Sequence, residues 1–158
     1  VTAYATVADH GRAKDPQEVC SVRDRQGAPL LVATDAGGRQ AIAPEAAAMV
    51  DDILRDGSAR QSGFWHDILT LPEGGNGAKT GTSNLCLQTS VTGQCLSYAA
   101  GNVWTVGYTD RIVAGVIVGN ADNSPMSVTA DGLTVAAPIW HEFMERVSAI
   151  PPLSDSCL

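Results

Sequence analysis

The sequence predicts an α+β domain in which an antiparallel sheet packs against helices. Residues 102–119 hold two segments rich in β-forming residues, separated by a short polar turn, which is typical of an antiparallel hairpin. Two further segments, one beginning at Pro44 and one ending near residue 148, carry apolar residues at helical spacing. Because strands and helices of this kind each bury one apolar face, a helix-covered sheet is the expected arrangement.

Length and composition indicate one globular domain. The chain has 158 residues, of which 44% are hydrophobic and 17% charged. This composition is sufficient for a buried core. The net charge of −7 argues against nucleic acid as a partner, because contact with phosphates requires clustered cations. No apolar run reaches the ~20 residues of a membrane-spanning helix.

The first forty residues predict a helix end, a hairpin and a loop. The first eight residues lack an initiator Met and follow helical spacing, so we expect the end of a helix that begins in a longer protein. His10 and Gly11 are expected to end it. Residues 18–34 alternate around a turn signal at 24–27, which predicts a hairpin, and 35–41 are expected to form a loop.

A helix is predicted from Pro44 to the stop signal at Gly57. Asp51 and Asp52 should lie on its exposed side. Its expected buried face consists of Ala46, Met49, Val50, Ile53 and Leu54. Residues 58–78 should be irregular and held to the body by Phe64, Trp65, Ile68 and Leu69.

The second half of the chain predicts two strands and a final helix. We expect a polar loop at 84–100, a strand at 102–108 and a strand at 112–119 that is covered on both faces. A loop at 120–133 should lead to a helix at about 135–148, with Trp140, Phe143, Met144 and Val147 on one stripe. Trp104 and Trp140 are both expected in the core.

The cysteines and histidines do not indicate a metal site or a cofactor. The four cysteines form no C-x-x-C pair, and no histidine lies at zinc-ligand spacing from any of them. Histidines 10 and 66 are expected in turns and His141 on a helix surface. Cys86 and Cys95 flank a short polar stretch, where a local disulfide and a pair of reduced thiols are equally compatible with the sequence. A disulfide would imply an oxidising compartment.

The segment with the clearest chemistry surrounds Lys79, one of two lysines in the chain. It continues as Thr80, Gly81, Thr82 and Ser83, which together could hold an anionic group: the ammonium supplies charge, the hydroxyls donate, and glycine permits close approach. A phosphate-binding P-loop does not fit, because Glu73 and Ala78 stand where its glycines belong. The K-T-G element of penicillin-binding proteins and serine β-lactamases fits better.

Beyond this tripeptide, nearly the whole chain resembles the C-terminal part of a penicillin-binding transpeptidase domain. The Pro-Ile-Trp-x-x-Phe-Met sequence of the last helix is most like the bifunctional class that also carries a glycosyltransferase domain. The matching segments, in the family's order, are 2–11, 43–45, 79–84, 103–109, 113–119 and 136–144. The resemblance implies that residues 1–158 are the C-terminal portion of one such domain, with an incomplete transpeptidase or serine β-lactamase-like fold.

The resemblance also implies roles for individual residues. Lys79 would help to organise a serine nucleophile and attract the substrate carboxylate, and Thr82 would bind that carboxylate and supply a backbone oxyanion donor. Thr80, Gly81 and Ser83 would complete the strand edge that pairs with the substrate. The implied partners are the D-Ala-D-Ala end of a peptidoglycan stem peptide, β-lactam antibiotics and the upstream part of the same protein. The implied location is extracytoplasmic, with membrane anchoring through another part of the protein.

The sequence departs from the family at its nucleophile. Position 76, three residues before Lys79, is Asn76, and position 11, three before Lys14, is Gly11, so the chain contains no S-x-x-K motif. It contains no S-x-N triplet either. We therefore expect this segment alone to be inactive, because acylation requires a nucleophile with an adjacent base. The alternatives are a D,D-carboxypeptidase or β-lactamase of the same superfamily, and a non-catalytic secreted domain that binds the cell wall.

Overall fold

A computed structural model of the protein describes residues 1–33, 37–60 and 63–151. A 3-10 turn at Gly57–Ala59 follows the second helix, and a π-helical turn at Gly132–Ala136 precedes the last one. In chain order, the elements are α1 (Thr2–Ala8), β1 (Arg12–Ala13), β2 (Ser21–Arg23), β3 (Pro29–Val32), β4 (Arg39–Gln40), α2 (Pro44–Arg55), α3 (Phe64–Asp67), β5 (Gly77–Thr89), β6 (Cys95–Tyr108), β7 (Val113–Gly119) and α4 (Ala137–Ser148).

The main sheet has the strand order β5-β6-β7, and both pairs are antiparallel. This confirms the predicted α+β fold and the β6–β7 hairpin. The predicted loop at 84–100 is wrong, since β5 and β6 continue through most of it as a two-stranded ribbon. Three register shifts interrupt the ladder there. They break the alternation of side chains, which is why the sequence pattern did not indicate a strand.

One face of the sheet is covered by α4 and the π-helical turn. Trp140 and Met144 are fully buried there against Ala78 of β5 and Leu133. The predicted burial of Trp140 is confirmed. Phe143, expected on the same stripe, is half exposed and faces away. Gly107 makes this packing possible, because a Cβ at that position would lie 2.2 Å from the Trp140 ring.

Helices α1 and α2 cover the other face only where β5 begins and β6 ends. The Tyr108 hydroxyl donates to Asp51 of α2 at 2.7 Å, and the Tyr108 ring lies 6.4 Å from that of Tyr4 in α1. The expectation that Asp51 is exposed is therefore wrong. The predicted buried face of α2 is also wrong, because Ala47 is buried while Met49 and Ile53 are exposed.

Several other apolar residues are more exposed than the sequence predicted. Phe64 and Trp65 do not act as buried anchors, whereas Leu69 is buried. Trp104, expected in the core, is 43% exposed, and its indole Nε1–H donates to Asn102 Oδ1 at 2.7 Å. Along β7 partly buried residues alternate with exposed ones such as Ile117, so only one face of that strand is covered.

The N-terminal hairpin agrees with the prediction, whereas His66 lies in a different element from the one expected. His66 lies in α3 rather than in a turn. His141 is partly buried, with Nδ1 3.0 Å from the Ile68 carbonyl oxygen, so it is not a free surface side chain. The predicted hairpin at 18–34 is confirmed as β2 and β3, and its last residue lies outside the described part. None of the described helices is long and apolar enough to cross a bilayer.

Candidate active-site wall

Strand β5 lies at the edge of the main sheet, and the Lys79–Ser83 segment occupies its first half. Directly opposite residues of an antiparallel pair point to the same face. Lys79 pairs with Val106 and Gly81 with Trp104, on the face where Tyr108 meets α1 and α2. The two threonines, at 80 and 82, therefore point to the α4 side, and the lysine and threonines flank the open edge from opposite faces.

Lys79 carries the only charge of the entire hairpin. Residues 80–109 contain no Asp, Glu, Lys, Arg or His. The Lys79 side chain is exposed and folds back along the edge, where Nζ donates to the carbonyl oxygen of Thr80 at 2.5 Å. The ammonium thus lies beside the strand edge and not in bulk solvent far from it, with donors left for an anion.

The Thr82 hydroxyl is held by the backbone of Gly132. Its Oγ1 accepts from the Gly132 N–H at 3.2 Å, and the buried Thr105 hydroxyl donates to the Gly132 carbonyl at 2.9 Å. Gly132 fits because it lies against the strands, where a Cβ would be 2.5 Å from the Trp104 carbonyl oxygen. Since Thr82 accepts this bond, its own O–H remains available to donate to a carboxylate.

Ser83 has a structural partner inside the sheet. Its Oγ accepts from the Asn102 N–H at 2.9 Å and lies 3.3 Å from the Asn102 carbonyl. The register skips Gly101 at this point, so Gly101 forms a bulge on β6. Bulges leave backbone groups of the ladder unpaired, and the Ser83 hydroxyl satisfies those at Asn102. The Ser83 hydroxyl is therefore engaged with β6 and is not directed at the open edge.

A disulfide joins the two strands of the ribbon beyond this bulge. Cys86 of β5 and Cys95 of β6 are bonded, with their Cα atoms 5.7 Å apart. Cys20, near the N-terminus, is also disulfide-bonded. The described chain therefore contains cysteines only in the oxidised form, as expected of a protein in an oxidising compartment.

The opposite end of the sheet carries a charged cluster that sequence reasoning missed. Arg55 donates through Nε to Asp51 at 2.8 Å and through Nη2 to Asp110 at 2.9 Å, and its guanidinium lies 5.2 Å from the Tyr108 ring centre. Burial opposes its charge, but the two carboxylates outweigh burial and raise its pKa. Burial and the bond to Asp51 raise the pKa of Tyr108 well above its usual range. These contacts join residues far apart in sequence, so local patterning could not reveal them.

Two cavities lie at that same end, away from Lys79. One of about 450 Å³ is lined by Arg55, Glu73 and Arg111, and one of about 310 Å³ lies between α1 and the β6–β7 turn. Neither cavity is lined by any of residues 79–83, so neither belongs to the Lys79 edge. Within the described residues, no group of three potential metal ligands occurs. The Lys79 edge is one open wall, and a cleft there needs a second wall facing it.

Comparison with known proteins identifies the fold and the family. The model of the penicillin-binding protein transpeptidase domain matches residues 1–145. The chain therefore belongs to the penicillin-binding protein transpeptidase family, whose members act on peptidoglycan. No curated protein matches the chain.

Solved structures of penicillin-binding proteins share the fold over a fragment of their length. Penicillin-binding protein PonA1 from Mycobacterium tuberculosis is 26% identical with a TM-score of 0.69, over 97% of this chain and 38% of that one. Penicillin-binding protein 1A from Haemophilus influenzae is 18% identical with a TM-score of 0.73, over 96% and 26%. The ceftriaxone acyl-enzyme of penicillin-binding protein A from M. tuberculosis is 18% identical with a TM-score of 0.59, over 91% and 30%. The chain thus spans about a quarter to two fifths of these proteins.

Proposed function

We propose that residues 1–158 are the C-terminal portion of one D,D-transpeptidase domain and supply the K-T-G wall of its active site. The observation that carries this proposal is the outer edge of β5, which has no strand partner among the described residues and is flanked by Lys79 and the Thr82 hydroxyl on a hairpin with no other charge. An edge strand pairs with an extended peptide through its backbone. The ammonium and the free O–H of Thr82 suit the C-terminal carboxylate of D-Ala-D-Ala.

The proposed reaction is acyl transfer through a serine outside this segment. That serine attacks the carbonyl between the two D-alanines, the terminal D-alanine leaves, and an amine of a second stem peptide then takes the acyl group. Negative charge develops on the carbonyl oxygen, and one preorganised backbone N–H aimed at it contributes about 3 kcal/mol. We assign that donor to Thr82, as the family resemblance implies. β-Lactams would acylate the same serine, and the domain would work at the outer face of the cell membrane.

Acylation by a fluorescent penicillin tests this proposal in the full-length protein. We expect mass spectrometry to find one labelled serine outside residues 1–158. Lys79→Ala should lower the second-order acylation rate by about 100-fold or more, as for loss of a preorganised transition-state contact. Lys14→Ala, which removes the same charge elsewhere, should leave the rate unchanged. Equal rates for the two variants, or a labelled residue within this segment, would contradict the proposal.

A cross-linking assay separates transpeptidase from hydrolase. With a stem-peptide donor and an amine acceptor, we expect a cross-linked product. Release of D-alanine with water as the only acceptor would assign a D,D-carboxypeptidase instead.

A further inference from the structure

We infer that the peptide-binding edge of β5 continues beyond Lys79–Thr82 along residues 83–86, and that the Cys86–Cys95 disulfide holds this extension. The extension would pair with the part of the stem peptide that precedes D-Ala-D-Ala. The inference rests on the proposed function and adds a subsite to it, for the backbone of a longer peptide.

The direction of the bound peptide follows from where Lys79 lies in its strand. β5 begins at Gly77, so only two of its residues precede Lys79, whereas the strand continues to Thr89 on the other side. A peptide whose terminal carboxylate meets Lys79 can therefore pair with this edge at length only if it runs antiparallel. Its N-terminal residues then lie beside 83–86.

The free edge stays regular over those residues. The first register shift leaves Gly101 as the extra residue on β6, so the bulge does not interrupt β5. The next shift, between Cys86 and Gln88, leaves the extra residue Leu87 on β5 itself. The regular edge thus ends at Cys86, and residues 83–86 add about 13 Å of pairing length at 3.3 Å per residue.

The Ser83 hydroxyl and the disulfide stabilise this extension from the β6 side. Ser83 satisfies the Asn102 backbone next to the Gly101 bulge, and the disulfide closes the ribbon where the regular edge ends. Without that covalent link, two closely spaced bulges beyond Cys86 would weaken strand pairing. We therefore assign Cys86 and Cys95 a positioning role.

The ribbon carries no negative side chain that would repel an acidic peptide. The chain carries a net charge of −7, but residues 80–109 contain no Asp, Glu, Lys, Arg or His. A peptide with carboxylates would meet no like charge on the ribbon, and Lys79 would attract its terminus. Recognition along 83–86 then depends on backbone hydrogen bonds, so peptide length should matter more than side-chain identity.

The test compares two blocked peptides, of two and five residues, that end in D-Ala-thioglycolate. The full-length protein releases thioglycolate as the serine is acylated, and a thiol reagent measures it. We expect kcat/KM to be about tenfold higher for the longer peptide, since each added backbone hydrogen bond contributes modestly. In Cys86→Ser/Cys95→Ser that ratio should fall to about one, while acylation by penicillin stays unchanged because penicillin reaches only the Lys79–Thr82 part.

Val91→Ser is the matched control, because Val91 is fully exposed at the ribbon tip beyond the disulfide. It should keep the wild-type ratio. Equal rates for the two peptides, no release from either by penicillin-reactive enzyme, or an unchanged ratio in the double variant would each overturn the inference. An equal loss toward penicillin would also overturn it. By contrast, a wild-type protein that penicillin does not acylate would refute the proposed function.

Discussion

The two halves of strand β5 differ in what surrounds them. At its start, Gly77 and Ala78 are buried, with Tyr108 on one side and the Trp140 cluster on the other. From Lys79 onward most residues are exposed, and among the described residues only β6 pairs with the strand. The buried half therefore fixes the position of the strand, while the exposed half presents a backbone edge and polar side chains to a ligand. Changes in the first should affect stability, and changes in the second should affect acylation.

The largest expected effect is on the buried side. Trp140→Ala should lower the free energy of unfolding by about 3–5 kcal/mol, because a large cavity replaces a fully buried ring. Chemical denaturation of the full-length protein measures this free energy from the unfolding transition of the transpeptidase domain. Trp140→Phe should cost much less, since the indole N–H has no hydrogen-bond partner among the described residues. An unchanged unfolding free energy in Trp140→Ala would show that the ring does not organise the core.

On the exposed side, Thr82→Val should slow acylation without comparable loss of stability. It removes the hydroxyl that we assign to the substrate carboxylate, a bond to a charged group worth about 1.5–3 kcal/mol, or roughly 10- to 100-fold in rate. Penicillin kinetics measure the effect. Thr82→Ser keeps the hydroxyl and should retain most of the rate. If valine and serine variants were equally active, the hydroxyl would have no role in binding.

Thr105→Val tests the link between the two halves. The buried Thr105 hydroxyl donates to Gly132, whose N–H in turn holds Thr82. Its loss leaves a carbonyl unpaired and should cost about 1–3 kcal/mol of stability. Acylation should fall less than in Thr82→Val. If Thr105→Val slowed acylation as much as Thr82→Val while stability stayed normal, the expectation that Thr105 acts mainly on stability would be wrong.

The smallest effect is a pH dependence at the buried end. The pKa of Tyr108 is raised by burial and by its bond to Asp51, so the fold favours the neutral phenol. That stabilisation is present below the unfolded-state pKa of about 10 and is lost as pH rises above it. Tyr108→Phe should cost about 0.5–1.5 kcal/mol at neutral pH. The gap between the unfolding free energies of wild type and variant should narrow in alkaline buffer, and a constant gap would refute the assignment.

Local sequence signals predicted the elements but not their partners. The helix at Pro44 and the β6–β7 hairpin follow from start signals and β-forming residues, and the structure has both. A strand edge at Lys79 is expected from the family resemblance alone, and β5 contains that segment. The ribbon beyond Asn84 escaped prediction because its bulges disrupt alternation. The roles of Asp51 and Gly132 depend on contacts with Tyr108 and Thr82, each about fifty residues away along the chain, which no local pattern encodes. Trp104 was misassigned because hydrophobicity alone does not tell which part of a sheet face the helices cover.

The most direct test of the Lys79–Thr82 edge as an active-site wall is a crystal structure of the full-length protein acylated by penicillin G. We expect the drug to lie along β5, with its carboxylate within about 3.2 Å of the Thr82 hydroxyl. We also expect the Lys79 ammonium to face the same cleft. A drug bound to its serine with no contact to residues 79–82 would contradict this assignment.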